Sequence, residues 1–322
     1  MTLQASLVPA PSFAADLAPL HLFGIVLLVL LSVASASVRL LKRARPGMRL
    51  DEVALKIRSW WVMASFFLGA IVLGDRLACV LIGLICYLAL KEYFTLIPTT
   101  AADRGALFWA YLTIPVQFYW IESGWFVMSA IFIPVYVFLV LPARQILAAE
   151  TTDFVARTGR IMWGVFLFVY CLSHLAFFLR LGPVAGLPVG GRELLLYVVF
   201  LTELNDVCAF LAGKSFGRHK IAPKISPNKT WEGFLGGLAG TVVAAVLLRF
   251  MTPFPIDRAV FVATCLSIAG FFGDLCVSAV KRDVGVKDSS DFIPGHGGIL
   301  DRVDSLTYTA PLFLHFVRYL YY

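Results

Sequence analysis

Between Leu20 and Leu41 a single charged residue, Arg39, interrupts 22 consecutive positions. Wound as a helix, a run of that length matches the hydrocarbon thickness of a bilayer, which takes roughly 20 residues at 1.5 Å each. Comparable runs recur at 60–74, 77–95, 105–121, 124–142, 161–179, 193–213, 233–251, 259–280 and 306–320. In hydrocarbon each backbone N–H and C=O must be satisfied inside the structure, so repeated runs this long mean helices. The expected fold is all-α, a polytopic integral membrane protein with about 8–10 transmembrane helices, since short runs can tilt or merge. Composition agrees: 60% of residues are hydrophobic and 15% charged, against about 45–50% and 25% in soluble domains.

The placement of charge orients those helices. Lys and Arg crowd the segment from Lys42 to Arg58, the connection 143–160 and the loops 214–232 and 281–305, whereas the alternate connections at 75–76 and 122–123 hold almost none. Basic residues near span ends stay on the cytoplasmic side, which puts the N-terminus outside and those two loops inside. The first helix is expected to be retained, because no Lys or Arg precedes Arg39 to form the basic start of a signal peptide. Three regions follow: an N-terminal extension (1–19), N-terminal transmembrane helices (20–192) and a C-terminal transmembrane region with both cytoplasmic loops (193–322). The formal net charge of +7 is thereby spent on topology and lipid headgroups, and no nucleic-acid partner is implied. All six cysteines fall inside apolar runs without a CxxC pair, so neither a disulfide framework nor a zinc site is expected.

Unusual chemistry gathers after residue 200. Glu203, Asn205 and Asp206 lie within a predicted span, where a carboxylate costs several kcal/mol unless it faces a partner or a polar cavity. In "GFFGDLCVSAVKRD", Asp274, Ser278 and Lys281 are spaced by four and then three, which aligns them on one helical stripe. The loop "GKSFGRHKIAPKISPNKTWEG" offers Lys224, Ser226, Lys229 and Thr230, with Pro223 and Pro227 opposing regular helix. The loop after Lys281 interleaves Arg282, Lys287, His296 and Arg302 with Asp288, Asp291, Asp301 and Asp304 around Gly295, Gly297 and Gly298. Topology alone has no use for those acids. Carboxylates suit a hard cation such as Mg²⁺, while ammonium, guanidinium and glycine-loop N–H groups suit phosphate oxygens. Together they point to a membrane enzyme handling a metal–phosphate substrate, with a cation-coupled transporter as the rival; no Walker sequence is present.

The stretch Ser278 to Asp304, "SAVKRDVGVKDSSDFIPGHGGILDRVD", resembles the signature of the phosphatidate cytidylyltransferases, or CDP-diacylglycerol synthases. Ser278, Lys281, Arg282, Lys287, Asp288, Ser290, Pro294, His296, Gly297, Gly298, Asp301, Arg302 and Asp304 fill its fixed positions. "KISPNKTWEG", Lys224 to Gly233, resembles the family's other cytoplasmic loop, and Asn205-Asp206 the acid that precedes it. Val207 and Cys208 depart from the pattern, where relatives often carry Thr and a small residue.

The resemblance implies a reaction of CTP with phosphatidate that yields CDP-diacylglycerol and pyrophosphate with Mg²⁺, and K⁺ as a possible second ion. It casts Asp274 and Asp301 as paired acids converging on the metal, Asp206 as a further candidate ligand, and Lys281 and Arg282 as catalytic cations. Lys224, Ser226, Lys229, Thr230, Lys287, His296, Gly297, Gly298 and Arg302 become substrate contacts, and Asp304 a partner of Arg302. A homodimer in the bacterial inner membrane, its active site facing the cytoplasm, completes the expectation. The alternatives are a CTP-dependent transferase or kinase acting on another lipid phosphate or alcohol, and the transporter.

Overall fold

A computed structural model describes residues 13–44, 51–147, 150–184, 189–286, 289–290 and 297–322. Ten long helices account for nearly all of them. They are α1 (Phe13–Ala44), α2 (Asp51–Leu73), α3 (Asp75–Leu96), α4 (Arg104–Glu122), α5 (Phe126–Ile146), α6 (Phe154–Phe178), α7 (Gly191–Phe216), α8 (Trp231–Leu247), α9 (Ile256–Asp283) and, after the four-residue α10 (Leu300–Val303), α11 (Leu306–Tyr321). Each expected run is found, but three helices start well before it: α2 at Asp51 instead of 60, and α1 and α6 seven residues early. Seven of the helices are long and apolar enough to cross a membrane; α4, α8 and α11 are shorter or less apolar. The chain is therefore a multi-pass, all-α membrane protein. The loop with Pro223 and Pro227 is a small antiparallel hairpin, β1 (Lys220–Ala222) and β2 (Ser226–Thr230), with Pro223 in its turn and no helix.

Contacts between helix ends follow the alternation that charge placement implies. At one end, Tyr93 on α3 donates to the Arg160 carbonyl of α6 at 2.9 Å, and buried Arg157 of α6 pairs with Asp103 before α4 at 2.8 Å. At the other, Arg192 of α7 pairs with Asp75 of α3 at 2.6 Å, and Arg180 after α6 pairs with Glu122 of α4. Arg258 of α9 donates there to Tyr321 of α11 at 3.1 Å.

The second half of the chain is drawn together by small and polar residues, as lipid-solvated helices require. Gly233, Gly236, Gly237 and Gly240 line the face of α8 turned to α7. A Cβ on Gly236 would stand 2.2 Å from the Ala212 Cβ, and one on Gly240 2.5 Å from the Cys208 Sγ. Between these backbones, Asn205 of α7 accepts from Ser267 of α9 at 2.6 Å and from Thr241 of α8 at 3.2 Å. Thr202 of α7 donates to Thr309 of α11 at 2.9 Å. α7, α8, α9 and α11 thus form one frame, and the polar sequence features hang on it.

Candidate active site

The stripe read on α9 is real: the Ser278 hydroxyl donates to Asp274 Oδ1 at 3.1 Å, one turn away. Asp274 takes its cation from another element, however. Lys229 of β2 reaches it at 2.6 Å while lying 4.5 Å from the centre of the Phe271 ring. Lys281, two turns along the same stripe, pairs with Asp301 at 2.5 Å. Asp274 and Asp301 therefore sit in different nests, each with its own lysine.

The nest around Asp301 is built by the glycine-rich loop. Gly297 has φ near +75°, a left-handed conformation that glycine adopts without strain. It turns the chain so that the Gly298 N–H faces Asp301 Oδ2 at 3.4 Å, beside the Ser289 N–H at 3.2 Å and its hydroxyl at 2.8 Å. Burial works against the charged form of Asp301. The Lys281 ammonium and the Ser289 donors outweigh it and hold the carboxyl below the ordinary aspartate range.

Asp274 has acidic neighbours of its own. Asp206 of α7 and Asp304, at the turn into α11, both feel its field, and Asp304 also feels that of Asp206. Ser305 donates its hydroxyl to Asp206 at 3.1 Å and its N–H to Asp304 at 2.7 Å. That approach depends on Gly273, whose Cβ would meet the Asp304 carbonyl oxygen at 2.6 Å. The nearby cations are Lys229 and Arg302. Arg302 does not pair with Asp304 among the described residues, and its Nε is buried without a hydrogen-bond partner. The reason is geometric: Asp304 turns to the Ser305 backbone N–H.

The remaining expected residues divide between the mouth of the site and its frame. Arg282 donates to the Ile225 carbonyl at 3.1 Å and to that of Val286 at 3.3 Å, tying α9 to the hairpin. Lys224 is exposed at the hairpin turn, and Ser226 opens β2 opposite Ala222. Thr230 is buried and caps α8, accepting the Gly233 N–H at 3.1 Å; its hydroxyl holds a helix end, as the cap preference of Thr allows. Lys287, Asp288, Asp291, Pro294, Gly295 and His296 lie outside the described residues.

One residue at this end went unread in the sequence. Glu92, near the end of α3, accepts the Leu300 N–H at 3.0 Å, so the N-terminal half of the chain touches the start of α10. Only its partner, 208 positions away, could have singled it out.

Chemically, Asp206, Asp274 and Asp304 with Ser278 and Ser305 offer oxygen donors alone, the set a hard cation prefers. Among the described residues no three acidic, histidine or cysteine side chains are close enough to hold an ion by themselves. A Mg²⁺ here fits as an ion with one or two carboxylates and the balance of its shell from water and phosphate. Four basic groups, Lys224, Lys229, Lys281 and Arg282, rim the same end.

The sequence model of the Cytidylyltransferase family matches residues 54–320. An uncharacterised protein of Escherichia coli K12, YnbB, is 40% identical over 298 residues, which cover 92% of this chain and 97% of that protein. The phosphatidate cytidylyltransferase of Haemophilus influenzae is 45% identical over 144 residues, and that of Staphylococcus haemolyticus 44% over 124. Those two alignments take in 43% and 38% of this chain and span about half the length of the two relatives, 50% and 48%.

Proposed function

The chain belongs to the cytidylyltransferase family, and from that premise we propose that it is a phosphatidate cytidylyltransferase. It joins CTP to phosphatidate, giving CDP-diacylglycerol and pyrophosphate for phospholipid synthesis. The observation that carries this reading is the pair of ion pairs, Lys229–Asp274 and Lys281–Asp301, which bring the two polar loops and α9 together at one end of the bundle.

In the proposed reaction a phosphate oxygen of phosphatidate attacks the α-phosphorus of CTP. The bond from that phosphorus to the bridging oxygen breaks, and pyrophosphate leaves with the electron pair. No general base is needed, because a phosphate monoester is already ionised near neutral pH. The work is charge neutralisation and positioning. Lys229 and Lys281 stand where triphosphate oxygens would draw them from their carboxylates. Arg282 fixes the hairpin that carries Lys224 and Lys229, and the Gly297–Gly298 turn sets its Gly298 N–H on Asp301. Mg²⁺, held by Asp274 with Asp206 and Asp301 as further candidates, and with K⁺ as a possible second ion, would offset phosphate charge and polarise the α-phosphorus. The site faces the cytoplasm of a bacterial inner membrane, which supplies the nucleotide on one side and the lipid within the leaflet; a homodimer is the proposed assembly.

Purified protein in lipid nanodiscs, given phosphatidate, Mg²⁺ and CTP labelled at the α-phosphorus, tests the reading. The expected result is label in the lipid and release of pyrophosphate. Label reaching lipid only from γ-labelled CTP would replace it with a kinase, and CTP left intact would sink it.

A further inference from the structure

We infer that Glu92, on the N-terminal half of the chain, is a positioning residue for Asp301. Its Oε2 accepts the Leu300 N–H at 3.0 Å, so the residue immediately before Asp301 is tied to α3. Its Oε1 is buried with no hydrogen-bond partner among the described residues and occupies the space beside Gly298. A Cβ there would stand 1.6 Å from Glu92 Oε1 and 2.2 Å from the Ser289 hydroxyl. Gly298 and Ser289 are two of the groups that donate to Asp301 Oδ2. The carboxylate of Glu92 therefore braces the turn at two points, by a hydrogen bond at residue 300 and by van der Waals contact at residue 298. Asp301 and its pair with Lys281 lie one step beyond.

A carboxylate whose second oxygen has no donor is a costly way to fill space. The cost is offset if the brace must be stiff: a charge-assisted hydrogen bond to a backbone N–H is stronger than a neutral one and holds a narrower geometry. The packing below it is mostly apolar. Tyr93 and Leu96 of α3 share with Trp163, Phe168, Val277, Val280 and Leu300 the lining of a narrow gap next to Lys281. Helix α3 thus offers the turn one polar fixing point over a greasy bed, and Glu92 is that point. This makes the first half of the chain part of the site, where the sequence shows only apolar helix.

The inference rests on the proposed role of Asp301, and its test has one arm that does not. In full-length protein in nanodiscs, Glu92→Ala should lower kcat for CTP and phosphatidate by about tenfold or more, the effect of one lost charge-assisted hydrogen bond. The KM for CTP should stay within about twofold, since no substrate contact is removed. Glu92→Gln keeps an oxygen that can accept from Leu300 but not the charge, and should recover part of that loss. The independent arm is hydrogen exchange. Amides of 297–305 should exchange faster in Glu92→Ala while α7 and α9 keep their protection. Gly298→Ala should cost activity in the parent and clearly less in the Glu92→Ala background, where the carboxylate clash is gone and only the one with the Ser289 hydroxyl remains. Unchanged exchange at 297–305 would overturn the brace whatever the enzyme's substrate proves to be. So would a loss of protection spread evenly over all helices, or additive effects of the two substitutions. Local loss of protection in a protein that ignores phosphatidate would leave the brace standing and sink the proposed reaction instead.

Discussion

Asp274 and Asp301 sit in unlike surroundings, and the difference sets what their replacement should do. Lys281 and Asp301 are 12% and 10% exposed, while Lys229 and Asp274 are 17% and 28% exposed. Asn at either position should cut turnover by about a hundredfold or more if both acids serve a metal–phosphate site. Their effects on stability should diverge. Asp301→Asn strands a nearly buried ammonium, a defect that costs roughly 3 kcal/mol when a buried pair is broken. Asp274→Asn leaves Lys229 nearer water and resting on Phe271, so its melting temperature should fall less; equal falls would contradict this ranking. A pH effect follows with a definite sign. Despite the opposing effect of burial, the folded pKa of Asp301 is depressed by Lys281 and Ser289. Its contribution to stability is then complete above the unfolded aspartate pKa and lost as pH falls through the lower, folded value. Lys281→Met removes the largest of the lowering causes and should move the acid limb of the melting-temperature profile to higher pH; a limb that stays in place would contradict the assignment.

At the scale of elements, α8 explains how so many polar groups come within reach of each other. Its glycines at 233, 236, 237 and 240 repeat every three or four residues and let α7 approach at backbone distance. Gly236→Leu should overpack that contact and destabilise by about 1–3 kcal/mol. Gly159→Leu on α6, where a Cβ meets nothing within 4 Å, serves as the control and should melt like the parent. Thermal unfolding in nanodiscs compares the two, and a control as damaged as Gly236→Leu would refute the packing argument. The helices were legible because a span is a local property: apolar length alone declares it. The stripe of Asp274, Ser278 and Lys281 was legible for the same reason, since spacing within one helix places side chains on one face. Partners were not. That Lys229 rather than Lys281 would hold Asp274 depends on where a hairpin folds. Glu92, next to Lys91 near a helix end, carries the letters of a solvated tip and nothing in its neighbourhood reveals Leu300.

For the molecule as a whole, the alternating charge pattern and the end-to-end contacts make one joint claim about direction. Asp75, Glu122, Arg180, Arg192, Arg258 and Tyr321 meet at one end of the bundle. Glu92, Arg157, Arg160, Lys229, Lys281 and Asp301 meet at the other. The second group is flanked by the basic loops, and segments rich in Lys and Arg resist transfer across the membrane during insertion. The end that carries the candidate site should therefore face the cytoplasm, the side on which CTP is available. Two exposed positions separate the ends cleanly: Ser123 after α4 and Asn228 in the hairpin. In right-side-out bacterial spheroplasts, Ser123→Cys should react with a membrane-impermeant maleimide, and Asn228→Cys only after the membrane is opened. The native cysteines, buried or half-buried in their helices, provide the background to subtract. The reverse labelling would turn the whole bundle over and put the lysine–carboxylate pairs out of reach of cytoplasmic nucleotide. Labelling of both from one side would break the alternation on which the pairing of helix ends depends.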